Sequence, residues 1–136
     1  MARREHRESH AEPSQRQLRV GEELRHALAL LLRPGELRDP VLYDANVTVT
    51  EVQVSPDLRN AIAFVMPLGG ANAADILAAL RRSAPFLKGR MARTVRLRLV
   101  PNLSFALDSA FDTAERIAAV LHSEAVARDL RDKNDS

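Results

Sequence analysis

The chain has 136 residues, which is enough for one domain and too few for two; its 46% hydrophobic and 28% charged residues exclude wholesale disorder and collagen-like repeats. No apolar run approaches the about 20 residues of a membrane span, no N-terminal stretch has the pattern of a signal peptide, and the lack of cysteine excludes disulfides and thiolate metal sites. The net charge is only +2, but the basic residues are unevenly placed. We expect a cytoplasmic protein without a membrane partner.

The N-terminal part predicts a leader followed by a helix. Residues 1–14 are polar and charged, so we expect them to form a flexible leader. Ser14 is a typical N-cap, and leucines recur after it at helical spacing. The helix should end at Arg33, because the Pro-Gly pair that follows cannot continue it.

A β-hairpin is predicted next. Residues 34–46 form a loop, and two β segments follow at Val47–Ser55 and about Arg59–Met66, both rich in β-branched or alternating apolar residues. The turn at Ser55-Pro56-Asp57 joins them as an antiparallel pair, since that is the most local pairing available. Pro67 and the Gly-Gly pair after it should end the second strand.

A second helical region opens at Ala71 or Asn72. Ser83-Ala84-Pro85 interrupts it, because proline has no amide donor and disfavours the helical conformation at the residue before it. The helical pattern then resumes, and proline suits the first position of a new helix. We therefore expect two helices joined at a sharp kink at Ser83, Ala84 and Pro85 rather than one long helix.

The segment Arg93–Leu107 has two interpretations. Either the helix runs on toward Leu97 and the strand is Asn102–Leu107, or one strand bends at Pro101, which cannot lie in the middle of a central strand. We favour a strand whose core is Leu103–Leu107.

The element order is thus α-β-β-α-kink-α-β, followed by a tail helix. This order predicts an α+β fold in which helices cover one face of a three-stranded sheet and leave the other partly open. The expected organisation is a leader over 1–14, a folded domain over 15–110, a C-terminal helical extension over 111–130 and a disordered tail over 131–136.

The sequence offers little for catalysis. Two of the four histidines lie in the leader, His26 is expected at the surface, and none has a second ligand at metal-binding spacing. Asp39 and Asp57 lie next to prolines in turns, where aspartate commonly caps backbone amides. Gly69-Gly70 lacks the Lys-Ser/Thr pair of a phosphate-binding loop. We predict no catalytic residue, no metal and no cofactor.

The informative feature is a basic segment, because no acidic residue lies between Asp75 and Asp108. Arginine bonds phosphate with two N–H groups, and each such contact releases counterions. Aromatic residues are too scarce for a platform that stacks single strands, so we expect Phe86 and Phe105 in the core and folded RNA as the partner. The candidate RNA-binding residues are Arg81, Arg82, Lys88, Arg90, Arg93, Arg96, Arg98, Arg16 and Arg19.

Charge alone leaves several functions open. The first is an RNA-binding factor, and the second is a protein-interaction or dimerisation domain whose basic face binds an acidic protein. The third is a small enzyme such as a nuclease, for which the sequence offers no set of residues. A solvated basic face without a partner also fits. Binding that resists RNase would favour the second.

Several separated motifs occur in the order typical of one bacterial family. They are Arg19-Val20, Asp39-Pro40-Val41-Leu42, the run Val52–Ala61, the run Leu97–Asp108 and Arg116-Ile117. Each motif is weak alone, but the ordered set is specific. On these residues the chain resembles bacterial ribosome-binding factor A from about Gln17 to Leu121.

The resemblance implies a KH-like fold of the α-β-β-α-α-β type that lacks the Gly-x-x-Gly loop and has an interrupted helix in its place. Ser83-Ala84-Pro85 takes the position of the family's Ala-x-Gly kink, so proline would hold the kink here. The resemblance also implies a non-catalytic factor that binds the immature small (30S) ribosomal subunit and 16S rRNA, including its precursor. Such a factor assists late rRNA processing, notably in cold adaptation, and we expect it to be a monomer when free.

Overall fold

The computed structural model describes residues 12–68, 72–110 and 120–121. Its elements in this part of the chain are α1 (Gln15–Leu31), α2 (Pro40–Tyr43), β1 (Asn46–Val54), β2 (Asn60–Leu68), α3 (Ala73–Thr94) and β3 (Asn102–Leu107). The chain divides into two compact units between Ala106 and Leu107. Nearly all of the predicted leader, helical extension and tail lie outside the described residues, and the predicted domain bounds stay predictions.

Helix α1 begins where the sequence predicts. The Ser14 hydroxyl accepts a hydrogen bond from the Gln17 amide at 3.1 Å, and the Ser14 amide donates to the Gln17 side chain at 2.8 Å. This reciprocal capping box satisfies two amides that have no partner within the helix. The helix ends at Leu31, two residues before the predicted Arg33, and Gly35 follows in the left-handed region at φ +88°.

The predicted loop over residues 34–46 contains one helical turn, α2, so that prediction is wrong at Pro40–Tyr43. The Asp39 carboxylate accepts from the Val41 amide at 2.9 Å, and Pro40 occupies the first helical position. An aspartate N-cap followed by proline is a strong start signal for a helix.

Strands β1 and β2 form the predicted antiparallel hairpin, with a register that runs from Asn46 opposite Leu68 to Val54 opposite Ala61. Pro67 pairs with Val47 inside β2, so the prediction that this proline ends the strand is wrong. Proline removes only its own ladder donor, and it is tolerated here because it lies next to the strand's last residue.

Helix α3 is one continuous element from Ala73 to Thr94, so the prediction of two helices instead of one long helix is wrong, whereas the predicted kink at Ser83, Ala84 and Pro85 stays a prediction. Proline costs a helix interior about 3 kcal/mol and leaves one carbonyl without its amide. Buried side chains lie on both sides of it, and this burial holds the two halves in one helix. Those side chains are Ile76, Leu80, Leu87 and Met91. The N-cap is Asn72, one of the two predicted starts.

Strand β3 confirms the interpretation in which Asn102–Leu107 is the strand, and α3 ends at Thr94, short of Leu97. The Asn102 amide donates to the Arg59 carbonyl at 2.8 Å, and the Ser104 hydroxyl donates to the Ala61 carbonyl at 3.3 Å. From the first bond to the second, the residue number increases by two in β3 and also by two in β2. The two strands therefore run parallel. The sheet order is β1-β2-β3.

The core lies between the helices and one face of this sheet, as the α+β prediction requires. Leu24 and Leu28 of α1 are fully buried, as are the core-facing residues of α3, while Ile62 on β2 is 40% exposed. Alternate residues of β2 are buried, and β1 follows the same pattern apart from one extra residue between Val49 and Val52, where the register shifts. This is the pattern of a sheet covered on one face. None of the helices that the structure describes is long and apolar enough to cross a bilayer.

Candidate nucleic-acid interface

Two basic side chains of α3 face β3. The Arg81 guanidinium donates to the Phe105 carbonyl at 3.4 Å, and the Lys88 ammonium donates to the Asn102 side-chain oxygen at 2.8 Å. Residues seven apart lie nearly above one another on a helix, which explains why both meet the same strand. These hydrogen bonds position the Arg81 and Lys88 side chains. Each cation keeps further N–H groups that can donate to a phosphate.

Two other basic side chains lie toward α2. The Arg82 guanidinium bonds to both oxygens of Asp39 at 3.1 and 3.3 Å, and the Arg90 guanidinium lies 5.7 Å from the centre of the Phe86 ring. Burial alone would raise the pKa of Asp39. The Val41 amide and Arg82 more than offset this and hold the pKa below its ordinary value. Arg82 is therefore paired with a carboxylate that is charged at neutral pH.

A cleft of about 160 Å³ between α1, the hairpin turn and the segment before β3 gathers three arginines, Arg16, Arg59 and Arg98. We call it the three-arginine cleft. Its apolar lining comes from Val20, Leu58, Leu97 and Leu99. The sequence predicted Arg16 and Arg98 but missed Arg59, because Arg59 lies outside both the first helix and the acid-free segment. The Val52–Ala61 motif, which contains it, was the available signal.

The hairpin turn positions Arg59. The Asp57 carboxylate accepts from the Ser55 hydroxyl at 2.7 Å and from the Arg59 amide at 3.0 Å, as the sequence predicted for a capping aspartate. The Ser55 hydroxyl is the main cause that lowers the pKa of Asp57. Leu58 has φ +62°, in a region that costs a residue with a side chain about 1–2 kcal/mol.

The remaining predicted residues are dispersed. Arg96 lines a depression with Glu23 and His26 of α1, away from the three-arginine cleft. Arg19 and Arg93 are exposed, and neither forms a salt bridge with any residue in the described ranges. Pro85 lines a shallow depression with Lys88 and Arg98. The predicted site is thus several basic positions rather than one patch.

The two phenylalanines of the basic segment differ in exposure. Phe105 is buried at 3% exposure, as predicted, but Phe86 is 52% exposed, so its assignment to the core is wrong. Leu87 occupies the core-facing position of α3, and neighbouring residues on a helix point about 100° apart. Phe86 therefore lies on the flank of the helix.

No cluster of three metal-ligating side chains occurs within the ranges that the structure describes. The geometry instead offers guanidinium and ammonium donors at several surface positions. Such groups bind phosphate oxygens through charge-assisted hydrogen bonds.

Comparison with known proteins identifies relatives by sequence. The family model of ribosome-binding factor A matches residues 16–121. Ribosome-binding factor A of Paramagnetospirillum magneticum is 58% identical over 118 residues, covering 87% of this chain and 83% of the relative. Its counterpart in Nitrobacter winogradskyi is 48% identical over 135 residues, covering 99% of this chain and 98% of the relative.

Comparison with known structures finds the same family. The crystal structure of ribosome-binding factor A from Thermus thermophilus matches with TM-score 0.57 and 30% identity over 67% of this chain and 94% of that chain. A homology model of the Thermus thermophilus protein, fitted into the cryo-EM map of a complex of 30S with ribosome-binding factor A, matches with TM-score 0.54 and 31% identity over 65% and 91% of the two chains. Because sequence and fold agree over the same α+β region, this chain belongs to the ribosome-binding factor A family and has its KH-like fold.

Proposed function

We propose that this chain is a non-catalytic cytoplasmic factor that binds the small ribosomal subunit through 16S rRNA and its precursor and assists their late maturation. One observation carries the proposal: a homology model of a relative, 31% identical to this chain, was fitted into the cryo-EM map of a complex of that relative with 30S. The family to which the chain belongs is named for ribosome binding.

The arginines supply the means of binding RNA. Arg16, Arg59 and Arg98 surround one cleft, and none of them forms a salt bridge with a residue of the described ranges. An unpaired guanidinium can bond a phosphate with two parallel N–H groups, and each contact releases counterions from the RNA. These side chains therefore support binding to the RNA backbone.

Assistance without catalysis follows from differential binding. A factor that binds one rRNA conformation more tightly than another shifts the population toward the favoured conformation by that difference in free energy. No bond has to be made or broken for this effect. While bound, the factor would also occupy the subunit and delay its entry into translation.

The proposal is tested by co-sedimentation of the full chain with purified immature and mature small subunits and with large subunits, over a salt series. We expect preference for small subunits and an affinity that falls steeply with salt, because released counterions drive the binding. Lack of binding to either form of the small subunit would contradict the proposal. Capture that survives RNase digestion would favour an acidic protein partner instead.

Charge reversal at the basic residues of α3 tests the surface. Replacing Arg81, Arg90 and Arg93 with Glu should weaken subunit binding by at least about tenfold, since the new carboxylates repel the phosphates that the arginines attract. The control is Arg25→Gln, because the Arg25 guanidinium already bonds to Glu22 at 2.6 Å. Circular dichroism should show the fold intact. Wild-type affinity in the folded triple variant would exclude this surface.

A further inference from the structure

Phe86 is exposed where the sequence predicts a core residue. Its side chain lies in a depression of about 690 Å³ that we call the Phe86 pocket. Among the residues that line it with Phe86 are Glu36, Arg38, Asp39, Arg82 and Arg90. This volume falls within the about 300–1,000 Å³ typical of small-ligand sites.

The ring already takes part in one stacking contact. The Arg90 guanidinium lies 5.7 Å from the ring centre, within the about 6 Å of a cation–π interaction, and yet Phe86 remains 52% exposed. Open ring surface therefore remains next to a planar cation. Aromatic rings and arginine planes are the side chains on which unpaired nucleobases stack.

The charges of the pocket favour an anion beside that ring. Asp39 is neutralised by Arg82, which leaves Arg38 and Arg90 against the single carboxylate of Glu36. Arg82 uses one nitrogen for Asp39 and keeps its other N–H donors. An apolar protein side chain would gain nothing from these donors and would remove water from them, at a cost in free energy.

We propose that the Phe86 pocket binds one unpaired nucleotide of rRNA, with its base stacked on Phe86 and its phosphate bonded to Arg38 and Arg82. Glu36 is the acceptor for an amino group on the edge of the base. The proposal rests on the proposed function and deepens it, because it adds single-strand recognition to binding of the folded RNA backbone.

Cross-linking tests the stacking directly. The full chain is irradiated at ultraviolet wavelength with small subunits, with a mixed-sequence single-stranded RNA of ten nucleotides and with a duplex of equal length. Trypsin cleaves after Arg82 and Lys88, so Phe86 lies in the peptide Ser83–Lys88. We expect a nucleotide adduct on this peptide with subunits and single strand and none with duplex.

The affinity of Phe86 variants for the single-stranded RNA distinguishes stacking of a base on the ring from a merely apolar contact. Phe86→Ala and Phe86→Leu should both bind about tenfold more weakly, whereas Phe86→Tyr should stay within about twofold of wild type. Leu30→Ala, at a similarly exposed apolar residue of α1, should have no effect. Wild-type affinity in Phe86→Leu would overturn the proposal, and so would absence of the adduct.

The outcomes distinguish the two proposals. If the wild type binds subunits but forms no adduct, and Phe86→Ala binds subunits as tightly as the wild type, the proposed ribosomal function stands and the proposed nucleotide site is overturned. If the protein forms an adduct with the single strand but does not bind subunits, the proposed ribosomal function is overturned and single-strand binding by the Phe86 pocket stands. Loss of subunit binding in Phe86→Ala without any RNA adduct would mean that the pocket takes a protein side chain, which also overturns the proposal.

Discussion

At the scale of single residues, two helical glycines have opposite surroundings. A Cβ added to Gly21 of α1 would lie 2.5 Å from the Val52 carbonyl oxygen, so the absence of a side chain lets α1 approach the β1 backbone. A Cβ added to Gly89 of α3 would meet nothing within 4 Å. The same substitution should therefore have opposite effects at the two sites.

We expect Gly21→Ala to lower the free energy of unfolding by about 1–3 kcal/mol, since the helix must move away from the strand. Gly89→Ala should raise it by about 0.5–1 kcal/mol, because alanine restricts the unfolded chain and suits a helix. Urea denaturation of both variants measures the difference. A Gly21→Ala protein as stable as the wild type would show that the close approach is not needed.

Asp57 gives a prediction for pH. Its folded pKa lies below the ordinary value of 3.8, so its charged form stabilises the folded state above that pH, and this stabilisation is lost as the pH falls through the folded pKa. Asp57→Asn keeps the acceptor oxygen but cannot titrate. The difference in stability between wild type and variant should be constant near neutral pH and should narrow below about pH 3.8. Thermal unfolding across this pH range measures the difference. A difference in stability that stays constant below pH 3.8 would contradict the lowered pKa of Asp57.

At the scale of elements, helix α3 shows how burial overrides a local break signal. Pro85 is exposed and removes the amide that would bond the Arg81 carbonyl, while buried residues on either side hold the helix together. The proline thus opposes a helix that tertiary packing imposes.

Pro85→Ala should therefore stabilise the protein by about 2 kcal/mol, from a helix penalty of about 3 kcal/mol less about 1 kcal/mol for the freedom that the unfolded chain regains. Pro85→Gly should be intermediate, since glycine is the weaker helix former. Chemical denaturation of the three proteins gives the order. A less stable alanine variant would show that α3 requires the geometry of proline.

At the scale of the whole molecule, basic residues from three parts of the chain converge in the three-arginine cleft. Arg16 comes from α1, Arg59 from the hairpin and Arg98 from the segment before β3. A net charge of +2 conceals this concentration, because Asp57 is the one acidic residue among those that line the cleft. The folded protein therefore presents a stronger local field than its composition implies.

Replacement of Arg16, Arg59 and Arg98 with Gln should weaken small-subunit binding and lower the slope of log affinity against log salt by about one for each phosphate that the variant no longer neutralises. Arg25→Gln should leave the slope unchanged, because Arg25 is paired with Glu22. Co-sedimentation over a salt series measures both. An unchanged slope in the triple variant would mean that the cleft binds no phosphate.

The sequence by itself determined the features whose causes are local. Ser14 and Asn72 cap helices through side chains three residues from their partners, and the turn at Asp57 closes within five residues. Alternation and β-branching likewise identified the hairpin and β3. Motif order was enough to indicate the family, although it could not assign individual arginines.

Only the tertiary structure decided what depends on residues distant in the chain. Continuity of α3 through Pro85 requires burial against other elements, which no local signal reports. Exposure of Phe86 depends on which flank of α3 the core covers. Arg59 joins Arg16 and Arg98 only after the hairpin packs beside α1. In each case, long-range packing outweighs local preference, because burial of apolar surface is the larger contribution to the free energy.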